Sequence, residues 1–361
     1  MPPAADPRRP FGRMLTAMVT PFTVAGEVDL DKAVALATFL VDVQHNDGLV
    51  VNGTTGECPT TTDAEKADLV RVVADAVGDR VHIVAGVGTF DTVHSVHLAE
   101  EAAKAGADGL LVVTPYYSKP PQAGLLQHFR AVAGATELPV MLYDIPGRAA
   151  VAIETDTMIA LAAHERIVAV KDAKGDFAAS SRVLAETDLA FYSGDDAATL
   201  PLLAIGGVGV VGTSTHLSGV ATQAMISAFE RGYVTEAAAL HAQLLPIYTG
   251  IFRTQGTILV KAALRLRGLD VGPVRPPLVD ATDHEISHLR ADLAAAGQQA
   301  GKPTPARTSP ITVQCKVRVV RWLEHLERVP VHPLAGRLRS GAVRMRVIIP
   351  PRHRSSPSAG P

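Results

Sequence analysis

The feature that most constrains this chain is an alternation. Short apolar runs recur between stretches of helical spacing, and the pattern persists for about 220 residues. Residues 14–22 (MLTAMVTPF) read as a strand closed by Pro21, and residues 29–40 follow with apolar positions three and four apart. Further strands are expected at 48–51, 81–87, 109–114, 139–143, 167–171, 189–193 and 208–211, with helices between them. The helix at 62–76 opens with Thr62 and has Glu65 three residues on, a capping-box signature. Runs such as Ile167, Val168, Ala169 and Val170, without polar interruption, suit parallel strands covered on both faces. Eight βα units of this size imply an α/β fold of the (β/α)8 TIM-barrel type. An open doubly wound sheet is disfavoured because no GxGxxG opens a helix after the first strand.

Beyond the eighth strand the period is helical only. Residues 218–231, 235–245, 257–266 and 284–296 each carry an apolar stripe, giving a last barrel helix and then a small C-terminal helical domain. The expected organisation is an N-terminal extension at 1–12, a catalytic barrel at 13–232, a helical domain at 233–298 and a basic Pro- and Arg-rich tail at 299–361. Formal charge is −2 overall, yet from Gly301 onward there are 12 Lys or Arg against 2 Asp or Glu. That composition suits a disordered tail with at most nonspecific attraction to nucleic acid. The reading favoured for it is a frame-shifted or read-through extension, with a genuine flexible appendage close behind. No apolar run approaches the ~20 residues of a membrane span, and the first residues lack an export signal's apolar core, so a cytoplasmic chain with no membrane partner is expected. Cys58 and Cys315 lie in no CxxC or His-rich cluster, so neither a disulfide framework nor a metal is expected.

In such a barrel the chemistry collects at the C-terminal ends of the strands. Those ends are polar here: Asn52 to Glu57 (NGTTGE) after the second strand, Thr114-Pro115-Tyr116-Tyr117 after the fourth, Tyr143 to Arg148 (YDIPGR) after the fifth, Lys171 on the sixth, and Gly194-Asp195-Asp196 after the seventh. An amine among apolar side chains loses hydration of its charged form, so its pKa falls and it can attack a ketone as a neutral nucleophile. Each residue singly fits a plainer role as well. Lys171 suits a strand-end cation paired with Asp172, residues 53–56 an ordinary turn, Tyr116, Tyr117 and Tyr143 packing, and Arg148 a surface ion pair. Their appearance at successive strand ends favours one shared pocket.

The series GTTGE, TPYY, YDIPGR, VKDAKG, SGDDA and GGVGVV, in this order, resembles the pyruvate-dependent class I aldolase superfamily that contains dihydrodipicolinate synthase and N-acetylneuraminate lyase. The resemblance covers about residues 12–298. Thr54-Thr55, the Tyr116-Tyr117 pair and residues 193–197 look like the dihydrodipicolinate synthase branch, in an actinobacterial form. It implies condensation of pyruvate with L-aspartate 4-semialdehyde in lysine biosynthesis through diaminopimelate, with no cofactor beyond a covalent Schiff base. Residue by residue, it makes Lys171 the Schiff-base lysine and Tyr143 the proton-transfer tyrosine. Thr54 becomes the hydroxyl that links Tyr143 to Tyr117, and Tyr117 the side chain that reaches a neighbouring subunit's pocket. It assigns Thr55 to the pyruvate carboxylate, Arg148 to the semialdehyde carboxylate, and Gly194 and Val211 to the pocket lining, and it implies a homodimer or homotetramer.

Cys58 and Ala149 depart from the family's usual Ser and Thr or Ser without touching a catalytic role. Asp63, Lys66, Phe90 and His94 stand where lysine-inhibited members carry His, His, Asn and Glu, which implies weak or absent feedback inhibition. Two alternatives stay open: a related aldolase or lyase of a 2-oxo acid or keto-sugar acid, and a noncatalytic paralogue or nucleic-acid-binding protein acting through its basic tail.

Overall fold

Each short apolar run becomes one strand, and neighbours in sequence become neighbours in the sheet. The computed structural model describes residues 8–298; the expected tail at 299–361 lies outside them. The strands are β1 (Met14–Ala17), β2 (Gly48–Val51), β3 (His82–Gly86), β4 (Gly109–Val113), β5 (Val140–Asp144), β6 (Ile167–Asp172), β7 (Ala190–Ser193) and β8 (Gly209–Gly212). They pair in parallel in chain order, and β8 returns to β1 with Leu15 opposite Val211, closing an eight-stranded barrel. The barrel helices are α1 (Leu30–Asp42), α2 (Asp63–Val77), α3 (Thr92–Lys104), α4 (Gln122–Ala133), the short α5 (Pro146–Ala149), α6 (Thr155–Ala162), α7 (Phe177–Glu186), α8 (Thr199–Ala204) and α9 (Thr215–Glu230). Three more follow: α10 (Val234–Gly250), α11 (Gly256–Leu266) and α12 (Asp283–Ala295). Thr62 caps α2 with the reciprocal Glu65 bond read from the sequence, and Thr282 and Glu285 repeat the device on α12.

Alternation along the strands divides the core. Leu15, Val50, Val84, Leu111, Met141, Ala169, Ala190 and Val211 fill the barrel interior, while the intervening residues pack against the helices. Phe11 closes the bottom: it is fully buried, and its backbone N–H donates to the Tyr192 hydroxyl at 3.3 Å.

Two sequence readings are corrected. The expected strand at 14–22 stops at Ala17, because the chain then bends across the top, where the Val19 N–H donates to His216 Nε2 at 3.1 Å and the Phe22 N–H to the Val271 carbonyl at 3.1 Å. The helix expected to end before Pro246 runs on to Gly250. A proline inside a helix costs about 3 kcal/mol, and burial of Leu244, Ile247 and Tyr248 opposes that cost.

Candidate active site

Strand register creates the site. Tyr143 of β5 and Lys171 of β6 are Cα partners, and each lies two residues beyond an inward-facing neighbour, Met141 and Ala169. A period of two therefore turns both side chains into the barrel, one layer nearer its mouth. Lys171 is 5% exposed, and its Nζ lies 4.3 Å from the centre of the Tyr143 ring. Burial lowers the Lys171 pKa to about 8; the Asp196 carboxylate opposes that shift and the Arg148 guanidinium adds to it. Burial pushes the Tyr143 phenol up to about 12, while Arg148 and a hydrogen bond with the Thr54 side chain act the other way. A partly neutral amine thus sits on a phenol that keeps its proton.

Lys171 does not pair with Asp172. Successive strand residues face opposite ways, and Asp172 turns outward to accept from Ser180 Oγ at 2.5 Å and from the Lys174 N–H at 2.8 Å. Lys174 itself is drawn to Asp144, 3.4 Å away, and to the Ile153 carbonyl at 3.3 Å. The two nearby lysines thereby differ: Lys174 contacts a carboxylate, whereas Lys171 makes no ion pair with a described residue and feels Asp196 only at longer range.

The remaining residues ring the mouth. Gly194 lies against Lys171, where an added Cβ would come within 3.0 Å of Lys171 Cγ, so the absence of a side chain leaves the lysine its path. Val211 packs in the barrel interior beneath the mouth. Thr55 is nearly buried, and its hydroxyl lies 3.3 Å from that of Thr213 at the end of β8. Arg148 is carried on α5, a one-turn helix between the strand end of β5 and Ala150. Thr54, Tyr116, Tyr117 and Arg148 line a cavity of about 590 Å³, joined by Cys58, whose thiol is pushed up to about 11 by burial.

Tyr117 is the exception within this set. It is 92% exposed at φ +75°, and it makes no hydrogen bond to a described residue of its own chain. The expected Thr54 to Tyr117 link is therefore not made inside one chain. A bulky residue in left-handed backbone is costly and concentrates where function needs it.

Two buried carboxylates that stood among the polar strand ends were given no role from the sequence. Asp196 accepts from the Thr213 and Ser214 N–H groups, both at 3.1 Å, and from Ser214 Oγ at 2.6 Å, tying the β7 and β8 ends together. Asp144, raised to about 6 by burial, anchors the Ile153 N–H at 3.2 Å. Asp144 is the last residue of β5 and Asp196 lies just beyond β7, and that place at the strand ends was the available signal. Among the described residues no cluster of three His, Cys, Asp or Glu could hold a metal ion, and no helix is long and apolar enough to cross a membrane.

An inward amine stacked on a phenol at the mouth of a (β/α)8 barrel, with hydroxyls and a guanidinium at the rim, defines a class I aldolase-type lyase. A model of the dihydrodipicolinate synthetase family matches residues 10–296, and the chain belongs to that family. It is 71% identical over 288 residues to the 4-hydroxy-tetrahydrodipicolinate synthase of Acidothermus cellulolyticus, covering 80% of this chain and 93% of that one. Identity is 58% over 299 residues to 4-hydroxy-tetrahydrodipicolinate synthase 2 of Streptomyces coelicolor, covering 83% of this chain and 100% of the relative. Among solved structures, the dihydrodipicolinate synthase of Cyanidioschyzon merolae with lysine bound superposes with a TM-score of 0.78 at 44% identity, over 80% of this chain and 99% of that one.

Proposed function

We infer that this enzyme condenses pyruvate with L-aspartate 4-semialdehyde to 4-hydroxy-tetrahydrodipicolinate, within lysine biosynthesis. The observation that carries the chemistry is the Lys171 amine, buried, in no ion pair with a described residue and 4.3 Å over Tyr143. Its neutral form adds to the keto carbon of pyruvate. The carbinolamine then loses its hydroxyl as water, taking a proton from the phenol of Tyr143, while the nitrogen gives up a proton to leave the imine. Loss of a methyl proton yields the enamine, whose carbon attacks the semialdehyde's aldehyde carbon as the oxygen takes up a proton. The semialdehyde's own amine next adds to the imine carbon and expels Lys171, closing the ring and restoring the free amine.

Thr55 is assigned to the pyruvate carboxylate, supported by its position on a glycine-flanked turn facing β8. Arg148 is assigned to the semialdehyde carboxylate, since a planar cation at the rim offers paired donors. Gly194 and Val211 line the pocket. Thr54 holds Tyr143 and passes protons toward a Tyr117 supplied by a neighbouring subunit; the outward, strained Tyr117 supports that reading and with it a homodimer or homotetramer. The covalent imine is the only cofactor-like element the reaction needs, and the metabolic role inferred for the enzyme supports a cytoplasmic location.

Borohydride reduction in the presence of pyruvate, followed by peptide mass spectrometry, tests the assignment. The expected result is one adduct on Lys171. An adduct on Lys174, or none, overturns it. Turnover of pyruvate with aspartate semialdehyde, without cleavage of keto-sugar acids, separates this reaction from that of a related aldolase.

A further inference from the structure

The turn carrying Thr54 and Thr55 is held in place from the far end of the chain. Two residues with side chains, Asn52 at φ +60° and Glu57 at φ +57°, bracket it in left-handed backbone, which persists only where the surroundings enforce it. Asn52 is tied locally, its Nδ2 donating to the Lys66 carbonyl at 3.0 Å. The other end is tied to the C-terminal helices. Thr257 Oγ1 donates to the Thr55 carbonyl at 2.9 Å. The Glu57 carboxylate sits 2.7 Å from Lys261 Nζ and accepts the Arg275 N–H at 2.8 Å. Thr257 and Lys261 lie one turn apart on α11, so a single helix face supplies both contacts. Thr257, Lys261 and Glu57 are all nearly or fully buried, and none lines the mouth cavity.

Stability alone is a poor reason for such a pair. Removing two charges from water costs more than packing apolar residues of similar volume, whereas a buried ion pair adds a fixed direction. Here that direction is specified at the residue following the catalytic turn. We propose that Glu57, Lys261 and Thr257 are positioning residues: Thr257 directly, and Lys261 through Glu57, tie the turn that carries Thr54 and presents Thr55 to pyruvate to α11, so the C-terminal helices hold one wall of the active site. The proposal rests on the reading of that turn as the pyruvate carboxylate site.

The test uses the full chain and two variants that remove the contacts without leaving a lone charge. Thr257→Val keeps shape and deletes one donor; Glu57→Gln with Lys261→Met deletes the ion pair. Steady-state kinetics, melting temperature and borohydride trapping are measured for each, with Thr257→Ser as the conservative rescue. Arg253→Ala, which breaks an ion pair to Asp292 elsewhere in the helical region, serves as the control. The expected result for Thr257→Val is a rise of about tenfold in the KM for pyruvate, smaller than the ~100-fold effect of a 1 Å misplacement, with kcat and the KM for semialdehyde little changed. Thr257→Ser returns the pyruvate KM to normal, and Arg253→Ala shifts the melting temperature alone. If the double variant fails to fold, Thr257→Val decides by itself. A lower melting temperature with an unchanged pyruvate KM in Thr257→Val would overturn the proposal and leave α11 a purely structural element. If the wild-type chain is not trapped on Lys171, the functional reading falls and takes this proposal with it; trapping of wild type with normal pyruvate KM in Thr257→Val sinks the proposal alone.

Discussion

Lys171 and Lys261 are 5% and 2% exposed, and each holds its amine 4.3 Å over an aromatic ring, Tyr143 in one case and Phe22 in the other. Burial lowers the pKa of both. What separates them is the second partner. Lys261 has the Glu57 carboxylate at 2.7 Å and donates to the Pro273 carbonyl at 2.8 Å, so its charge is compensated and its amine is tied down. Lys171 makes no ion pair with a described residue, and the nearest sequence carboxylate, Asp172, faces the helices. A buried lysine becomes a nucleophile where the fold keeps carboxylates out of contact, and a brace where it supplies one at contact distance.

The strongest way to break this comparison is to remove each amine in turn. Lys171→Met is expected to lower kcat by at least roughly a thousandfold, since both the nucleophile and its phenol partner's role are lost. Its melting temperature should hold or rise, because an uncompensated buried amine has been replaced by an apolar chain of similar length. A variant that retains a tenth of wild-type turnover would refute the role given to Lys171. Lys261→Met should behave in the opposite sense. Stranding Glu57 is expected to cost about 3–5 kcal/mol of unfolding free energy, read by denaturant titration, while borohydride still traps pyruvate on Lys171. Equal stability of the two variants would remove the distinction drawn here.

The pH profile sharpens the comparison further. The Lys171 amine is mostly neutral only above its folded-state value of about 8. Below that value each pH unit removes about nine-tenths of the nucleophile, so log kcat/KM for pyruvate should rise with unit slope and level off near pH 8. A profile flat from pH 6 to 9 would contradict a pKa lowered this far. The smallest expected effect concerns a third, half-buried lysine. Lys66 donates to the Thr61 carbonyl and lies 3.9 Å from Asp63, whose other oxygen is 2.9 Å from His94 Nε2; Phe90 stacks edge-on against Tyr116 at 5.5 Å. These groups satisfy one another instead of offering free donors and acceptors to a ligand. Millimolar free lysine is therefore expected to leave the rate unchanged, and half-maximal inhibition at sub-millimolar lysine would show otherwise.

Much of the fold was legible because parallel strands covered on both faces leave continuous apolar runs, and because Thr62 with Glu65 marks a helix start by its own chemistry. What escaped was decided by distant contacts. Nothing local announces that α10 passes Pro246, since the compensation comes from packing of Ile247 and Tyr248. The helix that carries Arg148 is a single turn and has no period to detect. Lys261 reads as an isolated charge among apolar helix residues until Glu57, roughly 200 residues earlier, is brought beside it. Tyr117 reads in the sequence only as one of a pair of tyrosines at a strand end, and its exposure in its own chain is set by the fold.

By itself the sequence determined the eight βα units, and a barrel's geometry then fixed which end of each strand could hold chemistry. Period two alone sends Lys171 and Tyr143 to the same side as Ala169 and Met141. The tertiary structure decided what those side chains are. The β5–β6 register set the amine over the phenol, the pleat turned Asp172 away, and the barrel wall excluded water. A pKa depends on charges and solvent gathered in space, and adjacency in sequence, as with Lys171 and Asp172, does not by itself place two groups together.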